Sequence, residues 1–381
     1  MRTTKLWPGF ILPMILFSSC FERFPISNET DFKPKLVIAG TLTNEDREQE
    51  IVISSSSFTE LPQFDPLSGC TVFVEDQEGN RFPFNESEAG HYRGIIDGYY
   101  IIMGMEYRLE VITPGGQQYR SDPVKMVPTP PVSNVYYELA SMPTPNPDIR
   151  EEGLQFYLDF SGDEQYSPYH RWELKETYEY HASFPLERWI DDEGSHDIFP
   201  DYSEFVCYKT ETIQDIFVLS TKGLSQNKFT KLPLHFVNDH TQRLLHRYSL
   251  LVRQYSLSES LYTYWKELKK NNKEYGDLFG RQPANVKGNI HNVNDASEVV
   301  LGFFGASAVS EKRIMVNSVE ELAFDQVPYC KAIPPSGPLP PDRPLYFARI
   351  PEGGYGLTNP ECIFCTLSGG TTEKPSYWDQ E

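Results

Sequence analysis

The sequence predicts a mainly β protein: an N-terminal Ig-like or transthyretin-like antiparallel β-sandwich, then a second β-rich domain with one amphipathic helix and a loop-rich C-terminus. Three observations carry that expectation. Tyr (23) and Phe (24) are abundant, and Pro (30) outnumbers Gly (25) in 381 residues, a balance that suits sheets and long ordered loops. Alternating or apolar runs recur about every ten residues between Gly, Pro and Asn signals, as in a sandwich of about a hundred residues. Only one stretch carries a helical stripe.

The first segment is not part of that fold. Arg2 and Lys5 precede an apolar block from Leu6 to Phe17, which falls well short of the roughly twenty residues needed to span a bilayer. A positive start, a short apolar core and small residues at its end are the layout of a signal peptide, here residues 1–19. The block ends as Phe17-Ser18-Ser19-Cys20, the arrangement in which bacterial signal peptides are cut just before a cysteine that receives lipid. Cys20 is therefore the expected lipidation site, and several acyl chains give firm anchoring without a transmembrane helix. Residues 20–32 then read as a polar tether.

The first domain is expected over 33–130. KLVIAGTL, REQEIVISSSS, CTVFVEDQEGNRFPF, GHYRG, EYRLEVITPGGQQYRS and PVKMVP supply its strands, with a hairpin turn at Glu78-Gly79-Asn80. Residues 131–150 read as a Pro-rich connection around a short strand. The second domain, 151–326, opens with GLQFYLDFSGDEQ and YHRWELKETYEYHA and continues through DIFVLSTK, KLPLHFVN and RYSLLVRQYSLS. Its helix is expected at 257–272, capped by Ser256, with Leu257, Leu261, Trp265 and Leu268 along one face. In SEVVLGFFGASAVSEKRIMV the last two strands are expected to form a hairpin across Ala306 to Glu311. Residues 327–381 read as extended, disulfide-pinned loop.

A formal charge of −20 argues against nucleic acid as a partner. In a secreted setting Cys207, Cys330, Cys362 and Cys365 are candidates for two disulfides of undetermined connectivity, with Cys70 as a small buried hydrophobe. The CxxC of Cys362 and Cys365 lacks both the second pair of a zinc site and the βαβ setting of a redox site. No HExxH, GxSxG, P-loop or GxGxxG is present, so neither a catalytic residue nor a cofactor or metal is assigned. What remains is aromatic and acidic. Trp172, Tyr178 and Tyr180 alternate on one strand, and WIDDEGSHDIFPDYSEF forms a loop that no core pattern explains. Trp172, Trp189, Asp191, Asp192 and Tyr202 are the candidate surface for a ligand or partner, the alternative being that Trp172 and its neighbours fill the second core.

Several stretches, QYSLSESLYTYWKELKKNNKEYGDLFGRQPANVKGNIHN, CIFCTLSGGTTEKPSYW, PKLVIAG, YHRWE and VLGFFGASAVSEKRI, resemble a Bacteroidota outer-membrane lipoprotein family catalogued as a domain of unknown function, the DUF4249 group. The resemblance implies location and company rather than catalysis: an outer-membrane lipoprotein often encoded beside TonB-dependent receptors, the energised β-barrels of nutrient uptake. The expected function is a non-enzymatic, lipid-anchored accessory or substrate-binding subunit of such a system, at the cell surface or on the periplasmic face. Its expected partners are the β-barrel and a glycan or peptide ligand. An outer-membrane structural or assembly factor and a surface hydrolase using the acidic loop 191–204 are the alternatives.

Overall fold

The computed structural model describes residues 33–57, 64–274, 286–324, 330–351 and 353–379. The predicted signal peptide, Cys20 and the tether lie outside the described residues. The fold is mainly β, as the sequence predicts. Among the described residues no helix is long and apolar enough to cross a membrane.

The first sandwich opens with β1 (Leu36–Thr43), β2 (Gln49–Ser55), the short β3 (Asp65–Pro66), β4 (Thr71–Asp76), β5 (Arg81–Glu88) and β6 (His91–Gly94), followed by β7 (Glu106–Ile112), β8 (Gln118–Ser121) and β9 (Val124–Lys125). Strand β5 joins its two sheets. Phe84 pairs with Val72 of β4, whereas Asn85 pairs with Arg93 of β6, and a bulge beyond Glu86 completes the bend. The alternating Ile38, Ile51, Ile53, Val72, Val74, Leu109 and Val111 turn inward to form the core. Met126 to Pro131 then crosses to the second sandwich.

Residues 131–150, read as a connection around a short strand, instead hold the whole of the twelve-residue strand β10 (Val132–Pro143), which pairs along its length with β11 (Arg150–Ser161). The prolines sit at its ends, where no ladder hydrogen bond is lost. Next come β12 (Tyr169–His181), the hairpin β13 (Leu186–Asp191) and β14 (Gly194–Asp201), then β15 (Val206–Ser220), β16 (Lys228–Asn238) and β17 (Tyr248–Ser256). Sheet β10-β11-β16 packs on β12, β15 and β17 over a core of Phe156, Leu158, Phe160, Trp172, Leu174, Tyr248, Leu250 and Val252.

Helix α1 (Glu259–Glu274) begins two residues later than expected, with Ser258 Oγ accepting from Leu261 N–H at 3.3 Å. Ser256 is not the cap: it is fully buried at the end of β17, where its hydroxyl bonds Thr129. Leu257 and Leu261 are buried against the first sandwich.

After the helix the chain returns. Strand β18 (Ile290–Asn292) adds to β8, and β19 (Phe304–Ser307) runs parallel to β1, with Gly40 opposite Phe304. Gly302, at φ +91°, admits this return: a Cβ there would lie 2.0 Å from the Ile38 carbonyl oxygen. The first sandwich therefore includes strands that the sequence reading assigned to the second domain. The expected hairpin across Ala306 to Glu311 does not form. Strand β20 (Val309–Val316) pairs with β17, so the chain leaves one sandwich for the other across Ala308. Local alternation reveals strands but not their partners.

The C-terminus is less loop-like than expected. Strands β21 (Leu345–Arg349) and β22 (Tyr355–Thr358) join β13 and β14 in a separate four-stranded sheet. Disulfides link Cys207 to Cys365 and Cys330 to Cys362, so the two cysteines of the CxxC serve different bridges. Cys70 is free and only half-buried. Residues 371–379 lie along β15: Tyr208 and Thr371 exchange backbone hydrogen bonds, and Trp378, almost fully buried, meets the Tyr208 ring edge-on.

Candidate functional site

The predicted surface divides. Trp172 is 1% exposed, and its indole N–H donates to Gln254 Oε1 at 2.9 Å, so it belongs to the second core and not to a surface. Tyr178 and Tyr180 share its inward face. The remaining candidates lie on or beside the β13–β14 hairpin, where a loop was expected. Trp189 stacks on His196 with centroids 4.7 Å apart, and its indole N–H donates to Asp191. Asp191 also accepts from the Glu193 and Gly194 amides and from His196, and that His196 hydrogen bond, first among these contacts, holds its carboxyl below the ordinary range. Its role is to lock the turn. Asp192 is exposed, while Tyr202 lies 59% exposed beyond β14, edge-on to Phe205. Glu204 is held by the Thr366 hydroxyl.

A more constrained site lies on the opposite face of β12. Because neighbouring strand residues point to opposite sides, Arg171 and Glu173 face outward where Trp172 and Leu174 face the core. Arg253 and Tyr255 on β17 stand beside them, with residues Arg171↔Tyr255 and Glu173↔Arg253 directly paired. Trp265 of α1 and Glu45 from the β1–β2 loop close the sides. The result is a cleft of about 460 Å³ between the two sandwiches and the helix.

Of the three arginines that line it, Arg47, Arg171 and Arg253, the last two differ in their partners. Arg253 is engaged by Glu45 and lies 3.5 Å from Glu173. Arg171 is pressed against the Trp265 ring, its guanidinium carbon 3.9 Å from the centroid, and its nearest carboxylate oxygen, on Glu173, is 3.8 Å away. Among the described residues its guanidinium donates no hydrogen bond. Burial lowers the Arg171 pKa, without making a neutral arginine accessible at physiological pH. Burial alone would push Glu173 up, but Arg171, the Tyr255 hydroxyl and Arg253 together hold it below the ordinary carboxylate value. The cleft thus offers a fixed, hydrogen-bond-deficient cation beside an aromatic wall. An outward-facing Arg in a strand otherwise read by its aromatics was the available sequence signal.

The same strand carries an inward charge. Glu176 is 4% exposed and accepts from Tyr248 Oη at 2.9 Å and from Arg243 at 3.3 Å. Burial raises its pKa, yet His235, Arg243 and Tyr248 outweigh burial and hold it below the ordinary value. A depressed folded-state pKa gives stability that is present above the unfolded pKa and lost as pH falls through the folded one. Thermal melts from about pH 6 down to about pH 3 should therefore show an acid limb that Glu176→Gln flattens. An unchanged limb would show that other carboxylates govern acid unfolding.

A family model described as a domain of unknown function (DUF4249) matches residues 22–313, a span that includes the cleft and runs into β20. No curated protein matches the chain. With a match over more than half its length, the chain belongs to the DUF4249 family.

Proposed function

We propose that the protein is a non-enzymatic, lipid-anchored outer-membrane subunit that binds substrate for a TonB-dependent uptake system. The Arg171 cleft carries the binding part of this reading: a half-buried guanidinium with unfilled donors beside Trp265 suits a carboxylate at the end of a peptide or on an acidic glycan. The signal-like N-terminus and Cys20 support the anchoring part, and they would hold the cleft close to a barrel mouth at high local concentration.

Binding is tested on the full chain with trialanine, its C-terminally amidated form and galacturonate. One of the two carboxylates should bind, the amide should not compete, and Arg171→Ala should weaken binding about 10- to 100-fold, as expected for a lost charged hydrogen-bond donor. Equal binding of acid and amide, or no effect of Arg171→Ala, overturns the cleft. Cys20→Ala should release the protein from membranes. A pull-down from detergent-solubilised outer membrane that recovers no TonB-dependent receptor overturns the uptake role.

A further inference from the structure

At the other end of β12 the outward face changes character. Glu179 and His181 are two residues apart and so project to the same side, away from the core that holds Tyr178 and Tyr180. Hydrogen bonding from the Glu179 amide to the Arg247 carbonyl, at 2.9 Å, brings in the segment before β17 and with it His246. The two imidazole rings stack with centroids 3.7 Å apart, and His181 Nε2 lies 2.9 Å from Glu179 Oε1. One donor atom from each of the three residues falls within 4.8 Å of the others, and all three side chains are half-buried.

The surroundings define the donor set. Trp378 donates its indole N–H to Glu179 Oε2 at 3.0 Å, which orients the carboxylate and leaves Oε1 turned toward the histidines. Such an outer hydrogen bond is the usual support of a metal-ligating carboxylate. His246 makes no side-chain hydrogen bond among the described residues, so its nitrogens have no protein partner competing with an ion. The Cys207–Cys365 bridge fixes the neighbouring strand, since Cys207 pairs with Tyr180 between the two outward-facing residues.

We propose that Glu179, His181 and His246 form a binding site for a divalent transition-metal ion, Zn²⁺ foremost. Two imidazole nitrogens and one carboxylate oxygen are a borderline ligand set that suits zinc and its neighbours and disfavours calcium or magnesium. Ligands at about 2.0 to 2.1 Å from a tetrahedral ion stand about 3.3 Å apart, so closure of the site needs only side-chain rotation from the observed spacing. Three protein ligands leave the fourth position for water or a donor from a bound molecule. Such a site was invisible as a motif because His246 lies far along the chain from the Glu179–His181 pair. This site is independent of the Arg171 cleft.

The test uses the full chain, purified without a histidine tag and stripped with EDTA, titrated with ZnCl₂ by calorimetry and with CoCl₂ by visible absorption. One equivalent should bind with micromolar or tighter affinity, and Co²⁺ should give the visible bands of a four- or five-coordinate ion. His181→Ala and His246→Ala should each weaken binding about 100-fold and Glu179→Gln about tenfold, with circular dichroism unchanged; His240→Ala is the control. If either histidine variant disturbs folding, His181→Gln and His246→Gln provide the same readout. No saturable binding by the folded parent, or binding that survives loss of both histidines, overturns the proposal.

Discussion

Replacing Cys207 and Cys365 together by Ser is expected to lower unfolding stability by about 5 kcal/mol, against about 4 kcal/mol for the Cys330–Cys362 pair. The difference follows from loop closure. The first bridge spans a sequence separation of 158 and the second only 32, and the entropy removed from the unfolded chain grows with the logarithm of that separation. Location reinforces the order. Cys207 and Cys365 are essentially inaccessible, packed with Tyr180 and Ala182, whose neighbours tie the C-terminal sheet to β12 and β15. Urea unfolding of the two double variants measures both values. Equal stabilities for parent and Cys207/Cys365 variant would show that the C-terminal sheet is held by packing alone. Native-state alkylation after reductant should modify the buried pair only when denaturant is added.

Trp172→Ala should cost about 3 to 5 kcal/mol, the range for emptying a large aromatic from a close-packed core. The indole fills the space beside Phe160, with ring centroids 5.5 Å apart. Its loss would also leave Gln254 Oε1 unpaired. That glutamine donates from its other amide atom to the Pro130 carbonyl at 2.8 Å, so Trp172 indirectly positions the crossing between sandwiches. Trp172→Phe keeps most of the volume and should cost about 1 to 3 kcal/mol, largely for the unmet acceptor. Chemical denaturation separates the two variants. A Trp172→Ala protein of parental stability would return the residue to the surface role that its place in an aromatic-charged strand first suggested.

The contrast between Trp172 and Arg171 shows what the sequence revealed and what it concealed. Alternation located β12 and its neighbours because one side of each strand meets an apolar core. It left open whether the aromatic side filled the core or faced a partner, and it did not reveal that the charged side bounded the cleft. Strand β19 read correctly as a strand, but its partner lies in the first sandwich, and pairing depends on contacts far apart in sequence. The β13–β14 hairpin read as a loop because β14 is mostly exposed, with Phe199 92% accessible, so no apolar period marks it. The four bridging cysteines were legible by composition, and their connectivity was not.

If the chain is anchored at its N-terminus as proposed, the parallel pairing of β1 with β19 takes on a mechanical meaning. Tension entering at Leu36 would act along β1, which is hydrogen-bonded to β2 on one side and to β19 on the other. The load would fall on many hydrogen bonds in shear at once, not on one at a time as in the peeling of a terminal hairpin. Forced unfolding is governed by the height of such a barrier. A body pulled through the proposed anchor would therefore resist at its first strand, and β19 would pass the load through Ala308 directly into the sandwich that carries the cleft.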